Sequence, residues 1–270
     1  MKSEYDSVFE NHDDLRGQHC FTTEEADTMW HLRLEDFLDG DPDCGRDLDV
    51  VEIFSGVGSV HAAAIEAGYK AIAMDKDRIP KCTEIAGLHC ENLLMLDGFE
   101  NAIRLVRRLK VGGLLVAAPQ CSSFVPPCRA QHQRCEKNLW YGDTSRAFVI
   151  DGNNMANGCA FLLRLAHSRG VQAVVENPPS SDIWKFPPMA NTLAHLKGLA
   201  QENQSAIVAR CGYSTEPYGK RFEKKFKFIG SDLTCPWLAR IERGCGCPGK
   251  TIHCGAKHCS RASSNCDTFF

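Results

Sequence analysis

Residues 49–78 read DVVEIFSGVGSVHAAAIEAGYKAIAMDKDR, and this stretch decides which fold the chain adopts. The mostly apolar segment 48–54 predicts a strand, and the two glycines within 55–58 predict a tight turn. The alanine-rich segment 60–67 predicts a helix, and the apolar run at 69–74 predicts a second strand. Strand, helix and strand together form the βαβ unit of a parallel sheet.

The same alternation continues to residue 230. Further helices are predicted near 79–88 and at 99–109, 153–167 and 189–203, and further strands at 114–118, 171–175, 205–210 and 225–229. Such alternation predicts an α/β fold with a mainly parallel sheet covered by helices on both faces. The last two strands have no helix between them, so we expect an antiparallel hairpin at one edge.

The composition divides the chain into three parts and limits its location. We expect an N-terminal extension with one amphipathic helix at 1–46, one α/β domain at 47–232 and a cysteine-rich tail at 233–270. The acidic N-terminus lacks the apolar core of a secretory signal, and no run of about 18 apolar residues predicts a membrane span. The 15 cysteines are therefore expected to be reduced thiols in the cytoplasm or nucleus.

Ligands of such sheets bind beyond the carboxyl ends of the strands. The turn at 54–58 lets a backbone and a helix N-terminus approach a ligand, and Asp75 follows the next strand as an acceptor for ribose hydroxyls. Together they favour a cofactor that contains adenosine, either a dinucleotide or S-adenosylmethionine. Asp97 is a candidate for the adenine amine, although an exposed loop aspartate explains it equally well. The candidate cofactor-binding residues are Phe54, Ser55, Gly56, Gly58, Asp75, Asp97 and Pro119.

Two further strand ends carry side chains suited to catalysis. Cys121 follows the strand at 114–118 and precedes an irregular stretch that runs to about residue 150, and loops of that length are usually functional. An activated thiol is a nucleophile, although a structural cysteine is the alternative. Glu176 ends an apolar, central strand, where solubility does not explain a carboxylate. The two residues suggest a nucleophile with a neighbouring acid.

Three segments resemble motifs of the DNA/RNA cytosine-5 methyltransferase family, which belongs to the class I S-adenosylmethionine-dependent methyltransferases. They are 49–78, LLVAAPQCSSFV at 114–125 and VVENP at 174–178, in the family's order and spacing. The resemblance implies a Rossmann-like, mainly parallel seven-stranded sheet, S-adenosylmethionine as cofactor and cytosine in DNA or RNA as substrate. It also implies that Cys121 adds to the base and that Glu176 holds and protonates it. Because the base must leave its stack, a mobile loop is expected beside Cys121.

Departures from the family keep other interpretations open. The family's Pro-Pro-Cys reads Pro-Gln-Cys at 119–121, and the residues after 230 are too few for its target-recognition domain. Both favour a non-catalytic module that keeps the fold for binding or regulation. An NAD-dependent oxidoreductase is less well supported, because the third glycine of a dinucleotide turn is missing.

The C-terminal region and the charge pattern give weaker signals. Six cysteines lie in the last 36 residues near His253 and His258, but no CxxC pair occurs, so a flexible tail is favoured over zinc and no metal is assigned. The net charge of −3 requires any nucleic-acid contact to come from a local basic face. The basic run at 220–227 fits phosphate contacts or a solvated surface equally well. The sequence does not predict an oligomeric state.

Overall fold

The computed structural model describes residues 45–76, 88–196, 205–215 and 220–231. The chain divides into two compact units, Met1–Gly40 and Asp41–Phe270, and every described residue belongs to the second. The predicted N-terminal helix, the predicted helix near 79–88 and the cysteine-rich tail lie outside the described residues.

Strands and helices alternate through most of the described chain. The strands are β1 (Leu48–Ile53), β2 (Ala71–Asp75), β3 (Leu88–Cys90), β4 (Leu109–Ala117), β5 (Gln172–Asn177), β6 (Ser205–Thr215) and β7 (Lys220–Gly230). The helices are α1 (Ser59–Glu66), α2 (Leu96–Arg107), α3 (Arg129–His132), α4 (Ala147–Ser168) and α5 (Pro187–Leu196). Short 3₁₀ turns occupy Pro126–Cys128, Glu136–Asn138 and Asp182–Trp184.

The strands form one sheet in the order β3-β2-β1-β4-β5-β7-β6. Strands β3, β2, β1, β4 and β5 pair in parallel, whereas β7 runs antiparallel to both β5 and β6. The predictions of a mostly parallel α/β sheet and of a final antiparallel pair are confirmed. Strand order reverses between β1 and β4, since the chain first builds outward through β2 and β3 and then returns. Sheets of this kind bind ligands at that switch point.

Buried apolar side chains from the central strands and from α4 form the core. Val51, Ile53 and Leu115 are fully buried in β1 and β4, and α4 is buried along most of its length. Helix α2 packs on α4, where the rings of Phe99 and Phe161 lie 5.6 Å apart. Because β2 and β5 lie on opposite sides of the β1–β4 pair, right-handed crossovers place α1 and α4 on opposite faces of the sheet.

Several elements differ from the sequence prediction in their bounds, and α4, β4 and β3 differ most informatively. Helix α4 begins at Ala147 rather than at 153, because Asp151 and Asn153 continue the helix instead of capping it. Strand β4 begins at Leu109, which was predicted to end a helix. Strand β3 was not predicted, because three residues are too few to show a periodic pattern.

Glu52 is a buried carboxylate within β1 that holds the start of α1. It is 6 % exposed, and its two oxygens accept hydrogen bonds from the backbone N–H groups of His61 at 2.8 Å and Val60 at 3.4 Å. Desolvation raises the pKa of Glu52 to about 7, the two hydrogen bonds oppose that rise, and nearby Asp75 adds to it. Folding therefore favours the protonated carboxyl.

We expect Glu52→Gln to remove a pH dependence of stability. Between the ordinary pKa of 4.5 and about 7, the folded state retains a proton that the unfolded state has lost, so stability falls as pH rises and levels off above 7. The full effect is on the order of 3 kcal/mol. Urea unfolding from about pH 5 to 8 measures it, and Glu66→Gln, an exposed carboxylate on α1, is the control. An unchanged slope in the Glu52 variant would contradict the assignment.

Candidate active site

The turn after β1 has an unusual backbone. Phe54, Gly56 and Gly58 have φ values of 58°, 53° and 70°, in the left-handed region. That region is strained for a bulky residue such as Phe54, and such strain is typical of ligand sites. The hydroxyl oxygen of Ser55 is buried and has no hydrogen-bond partner among the described residues. A buried, orphaned oxygen in this turn fits contact with a bound ligand.

Asp75 lies against this turn, as the sequence predicted for a shared ligand site. Its Oδ2 accepts a hydrogen bond from the backbone N–H of Gly56 at 2.8 Å. The bond spans 19 residues and joins the ends of β1 and β2 at the switch point. The structure therefore brings the glycine turn and the acid together, while their cofactor roles stay predictions.

Asp97 and Glu91 occupy different positions relative to Asp75. Asp97 is exposed in the first turn of α2. Glu91 directly follows β3, its backbone N–H donates to the Asp75 carbonyl at 2.9 Å, and its carboxylate accepts from Asn101 at 2.6 Å. Glu91 is thus an acidic residue tied to Asp75 that the sequence did not indicate, because the three-residue strand before it shows no periodic pattern.

A buried asparagine joins the two segments that carry Cys121 and Glu176. Asn177 is 1 % exposed, and its Nδ2 donates to the carbonyl of Pro119 at 2.8 Å. Pro119 is buried, and Cys121, two residues later, has a half-buried thiol that is not in a disulfide. Glu176 precedes Asn177 and is half-buried. The structure therefore fixes the predicted nucleophile segment against the strand of the predicted acid.

Arg134 organises the loop after Cys121. Its Nε donates to the Ser123 carbonyl at 2.6 Å, and its Nη2 donates to the Ser123 hydroxyl at 3.0 Å. Its Nη1 donates to the carbonyl of Trp140 at 2.6 Å and to Asn153 Oδ1 at 2.7 Å. The guanidinium also lies 3.7 Å from the centre of the Phe124 ring. Desolvation lowers the pKa of Arg134 to about 10, so the group stays charged at neutral pH.

The same loop is joined to the turn after β5. The backbone N–H of Asp182 donates to the carbonyl of Phe124 at 2.8 Å. The buried Asp182 carboxylate pairs with Arg129 at 3.2 Å and with Lys185 at 3.3 Å. Fully buried His132 accepts from the Arg134 backbone at Nδ1, and its Nε2 lies 3.1 Å from the Val125 carbonyl, which it meets as a donor. Burial lowers the pKa of His132, so the neutral ring fits both contacts.

Two kinds of feature are absent from the part of the chain that the structure describes. No described helix has the length and apolar character needed to cross a membrane. Within the same residues, no three His, Cys, Asp or Glu side chains are grouped so that they could hold a metal ion. The C-terminal cysteines and histidines fall outside those residues.

Comparison with known proteins gives no match among protein-family models and none among curated proteins. Among solved structures, the chain is similar to the Dnmt2 methyltransferase of S. pombe, with 14% identity and a TM-score of 0.37 over 68% of this chain and 49% of that one. It is similar to a SAM-dependent methyltransferase from Agrobacterium tumefaciens, with 13% identity and a TM-score of 0.35 over 77% and 62%. It is also similar to one from Archaeoglobus fulgidus, with 14% identity and a TM-score of 0.34 over 77% and 94%. The chain spans about half the length of the first and less than two thirds of the second, and similarity at this level assigns neither a substrate nor a residue's role.

We expect Gly152→Ala to destabilise the protein by about 1–3 kcal/mol, because it overpacks the loop that Arg134 holds. A Cβ at Gly152 would overlap the Ser123 hydroxyl and lie 2.9 Å from Ser123 Cβ. Gly158→Ala, in the same helix, is the matched control, since its Cβ meets only the edge of the Phe99 ring at 3.2 Å. There the higher helix propensity of alanine offsets a small shift of the ring. Urea unfolding compares the two, and equal stabilities would contradict the packing argument.

Proposed function

We propose that this chain is an S-adenosylmethionine-dependent methyltransferase that methylates C5 of cytosine in DNA or RNA through a covalent Cys121 adduct. The observation that carries the proposal is the hydrogen bond from Asn177 to Pro119, which holds the Cys121 segment against the Glu176 strand. Cys121 follows β4 and Glu176 lies in β5, and β4 pairs with β1 on its other side. The ends of β1 and of its neighbour β2 hold the glycine turn and Asp75. A nucleophile, an acid and a cofactor turn therefore share one edge of the sheet.

The residues around the turn fit the cofactor. The left-handed conformations of Phe54, Gly56 and Gly58 admit a close approach. The Ser55 hydroxyl lacks a partner among the described residues, and Asp75 would accept the ribose hydroxyls. When bound, the cofactor supplies the methyl group that C5 of cytosine receives. Phe54, which is half-buried in this turn, would pack against the adenine of the cofactor.

The side chains of the other half would activate the base. Cytosine C5 is a poor nucleophile, and addition of the Cys121 thiolate to C6 makes C5 electron-rich. Glu176 would hold the N3 edge and supply the proton that balances this addition. After C5 has been methylated, its proton would pass to a base, the C6–S bond would break to release the thiolate, and N3 would return its proton to Glu176, which restores the aromatic ring. The target base must be unstacked to reach Cys121.

The Pro-Gln-Cys departure from the family leaves this frame intact. Gln120 is exposed, whereas Pro119 is buried and uses its carbonyl to accept the Asn177 bond. The change from proline to glutamine at position 120 therefore affects a side chain that takes no part in the hydrogen bond between Asn177 and Pro119. This observation favours a working enzyme over the non-catalytic module.

We expect the protein to form a covalent adduct with DNA or RNA that contains 5-fluorocytosine in the presence of S-adenosylmethionine. Fluorine at C5 cannot leave as a proton does, so the thioether to C6 persists and is seen by denaturing electrophoresis. Cys121→Ser should abolish the adduct, and Glu176→Gln should slow its formation by about 10²–10⁴-fold. Cys128→Ser, which changes a half-buried thiol of the same loop, should leave it unchanged.

Calorimetry with S-adenosylmethionine separates the ways in which this proposal can fail. Cofactor binding without any Cys121-dependent adduct would contradict the transfer mechanism. Absence of binding at high micromolar cofactor would contradict the methyltransferase assignment and support a binding module. Both measurements use the full chain.

A further inference from the structure

Five side chains near the candidate active site form a surface that the proposed chemistry does not use. This aromatic–cationic surface consists of Arg129, Trp140, Trp184, Lys185 and Lys227. The Lys185 ammonium lies 4.1 Å from the centre of the Trp140 ring, and the Lys227 ammonium lies 5.1 Å from that of Trp184. Arg129 shares the Asp182 carboxylate with Lys185, and Trp184 precedes Lys185 in the same 3₁₀ turn, which links the two cation–aromatic pairs.

The surface borders both catalytic segments. Trp184 donates from Nε1 to the carbonyl of Pro178 at 2.8 Å, two residues after Glu176. Lys227 is the register partner of Asn177 across the β5–β7 pair. Any polymer on this surface would therefore pass close to the end of β5 that carries Glu176.

The accessible charge of the surface is positive. Arg129 and Lys185 expose 55 % and 53 % of their side chains, although both contact the 1 % exposed carboxylate of Asp182. Together with Lys227, the surface has three cationic side chains, and among the described residues two carboxylates lie nearby, those of Asp182 and half-buried Glu176. This local excess contrasts with a net charge of −3 for the whole chain. It provides the basic face that a nucleic-acid contact requires.

The loop that presents Trp140 is held in a strained conformation. Leu139 and Trp140 have φ values of 49° and 65°, and Leu139 is 64 % exposed. Bulky residues keep such a conformation only where their surroundings impose it, which is common at ligand clamps. Here Arg134 imposes it through its 2.6 Å hydrogen bond to the Trp140 carbonyl. The indole is thus positioned in advance at an exposed loop tip.

We propose that the aromatic–cationic surface binds the single-stranded DNA or RNA on either side of the target cytosine. Arg129, Lys185 and Lys227 would contact phosphates, and the two indoles would stack on unpaired bases. A duplex offers only base edges and backbone to such a surface, so the indoles favour a single strand. Exposed cation–π contacts are weak, so the lysines can exchange them for phosphate contacts. The inference rests on the proposed function, because it names the form of substrate that this site takes.

Fluorescence anisotropy with labelled strands of about 16 nucleotides tests the proposal on the full chain. One sequence is used as single-stranded RNA, as single-stranded DNA and as the DNA duplex, over about 50 to 300 mM salt. We expect at least one of the single strands to bind about tenfold or more tightly than the duplex. The tighter of the two single strands identifies the polymer.

The variants separate phosphate contacts from stacking. Lys185→Gln with Lys227→Gln should reduce the slope of log K against log salt by about 1.4. Trp140→Leu should weaken single-strand binding about tenfold with little change in that slope. Lys70→Gln is the control and should change neither quantity. Lys70 is an exposed lysine that directly precedes β2, at the amino ends of the strands. Lys185→Gln alone, a change at an exposed side chain, should lower the slope of log K against log salt by about 0.7. Thermal melting verifies that each variant folds.

The outcomes distinguish this inference from the proposed function. Equal binding of duplex and single strands, or wild-type binding by the lysine and tryptophan variants, would overturn the surface assignment even if the 5-fluorocytosine adduct forms. Selective single-strand binding that depends on these residues, without any adduct, would support the surface while contradicting the methyl transfer.

Discussion

The buried guanidinium of Arg134 is the interaction on which the rest of the candidate site depends. Taking a charged group out of water costs several kcal/mol, and here hydrogen bonds to loop carbonyls and side-chain oxygens offset that cost. The bonds to Ser123 and Trp140 join parts of the loop that have no regular secondary structure, and the bond to Asn153 ties the loop to α4. Loss of the cation would leave buried carbonyls without donors, so the loop and its charge stabilise each other. The position of Cys121 follows from this loop, because Ser123 and Phe124 are the residues that Arg134 holds.

The site consists of two halves that are built in different ways. On the side of β1 and β2, carboxylates hold backbone amides, since Glu52 bonds the start of α1 and Asp75 bonds the glycine turn. On the side of β4 and β5, an amide and a guanidinium hold carbonyls, through Asn177 and Arg134. In the proposed function, the first half would hold the cofactor and the second would position the nucleophile. Both halves meet where the strand order reverses, so the sheet itself aligns them.

The sequence predicted the parts of the site whose chemistry is local. The glycine turn, Asp75, Cys121 and Glu176 each follow or end a strand, and the rule for strand ends was enough to group them. Long-range partners could not be predicted in this way. Asn177 lies in a quoted motif, yet its bond to Pro119 spans 58 residues and depends on the pairing of β4 with β5. Arg134 had the appearance of one more basic residue in a loop, and its burial follows only from the folded loop. Glu52 sits in a strand pattern that gives no sign of a buried acid bonded to a helix.

The hydrogen bonds that Arg134 makes to the loop after Cys121 also change how the target base is expected to reach Cys121. Because the target base must leave its stack, the sequence predicted a mobile loop beside Cys121. In the structure, the loop carbonyls of Ser123 and Trp140 accept hydrogen bonds from Arg134. The backbone N–H of Asp182, in the turn after β5, donates to the loop carbonyl of Phe124. Movement of the loop would break several buried hydrogen bonds at once and would leave their donors and acceptors without partners. A substrate whose cytosine is already unpaired needs no such movement. The rigidity of the loop and the indoles beside it therefore support the same kind of substrate, a single strand presented to a preformed site.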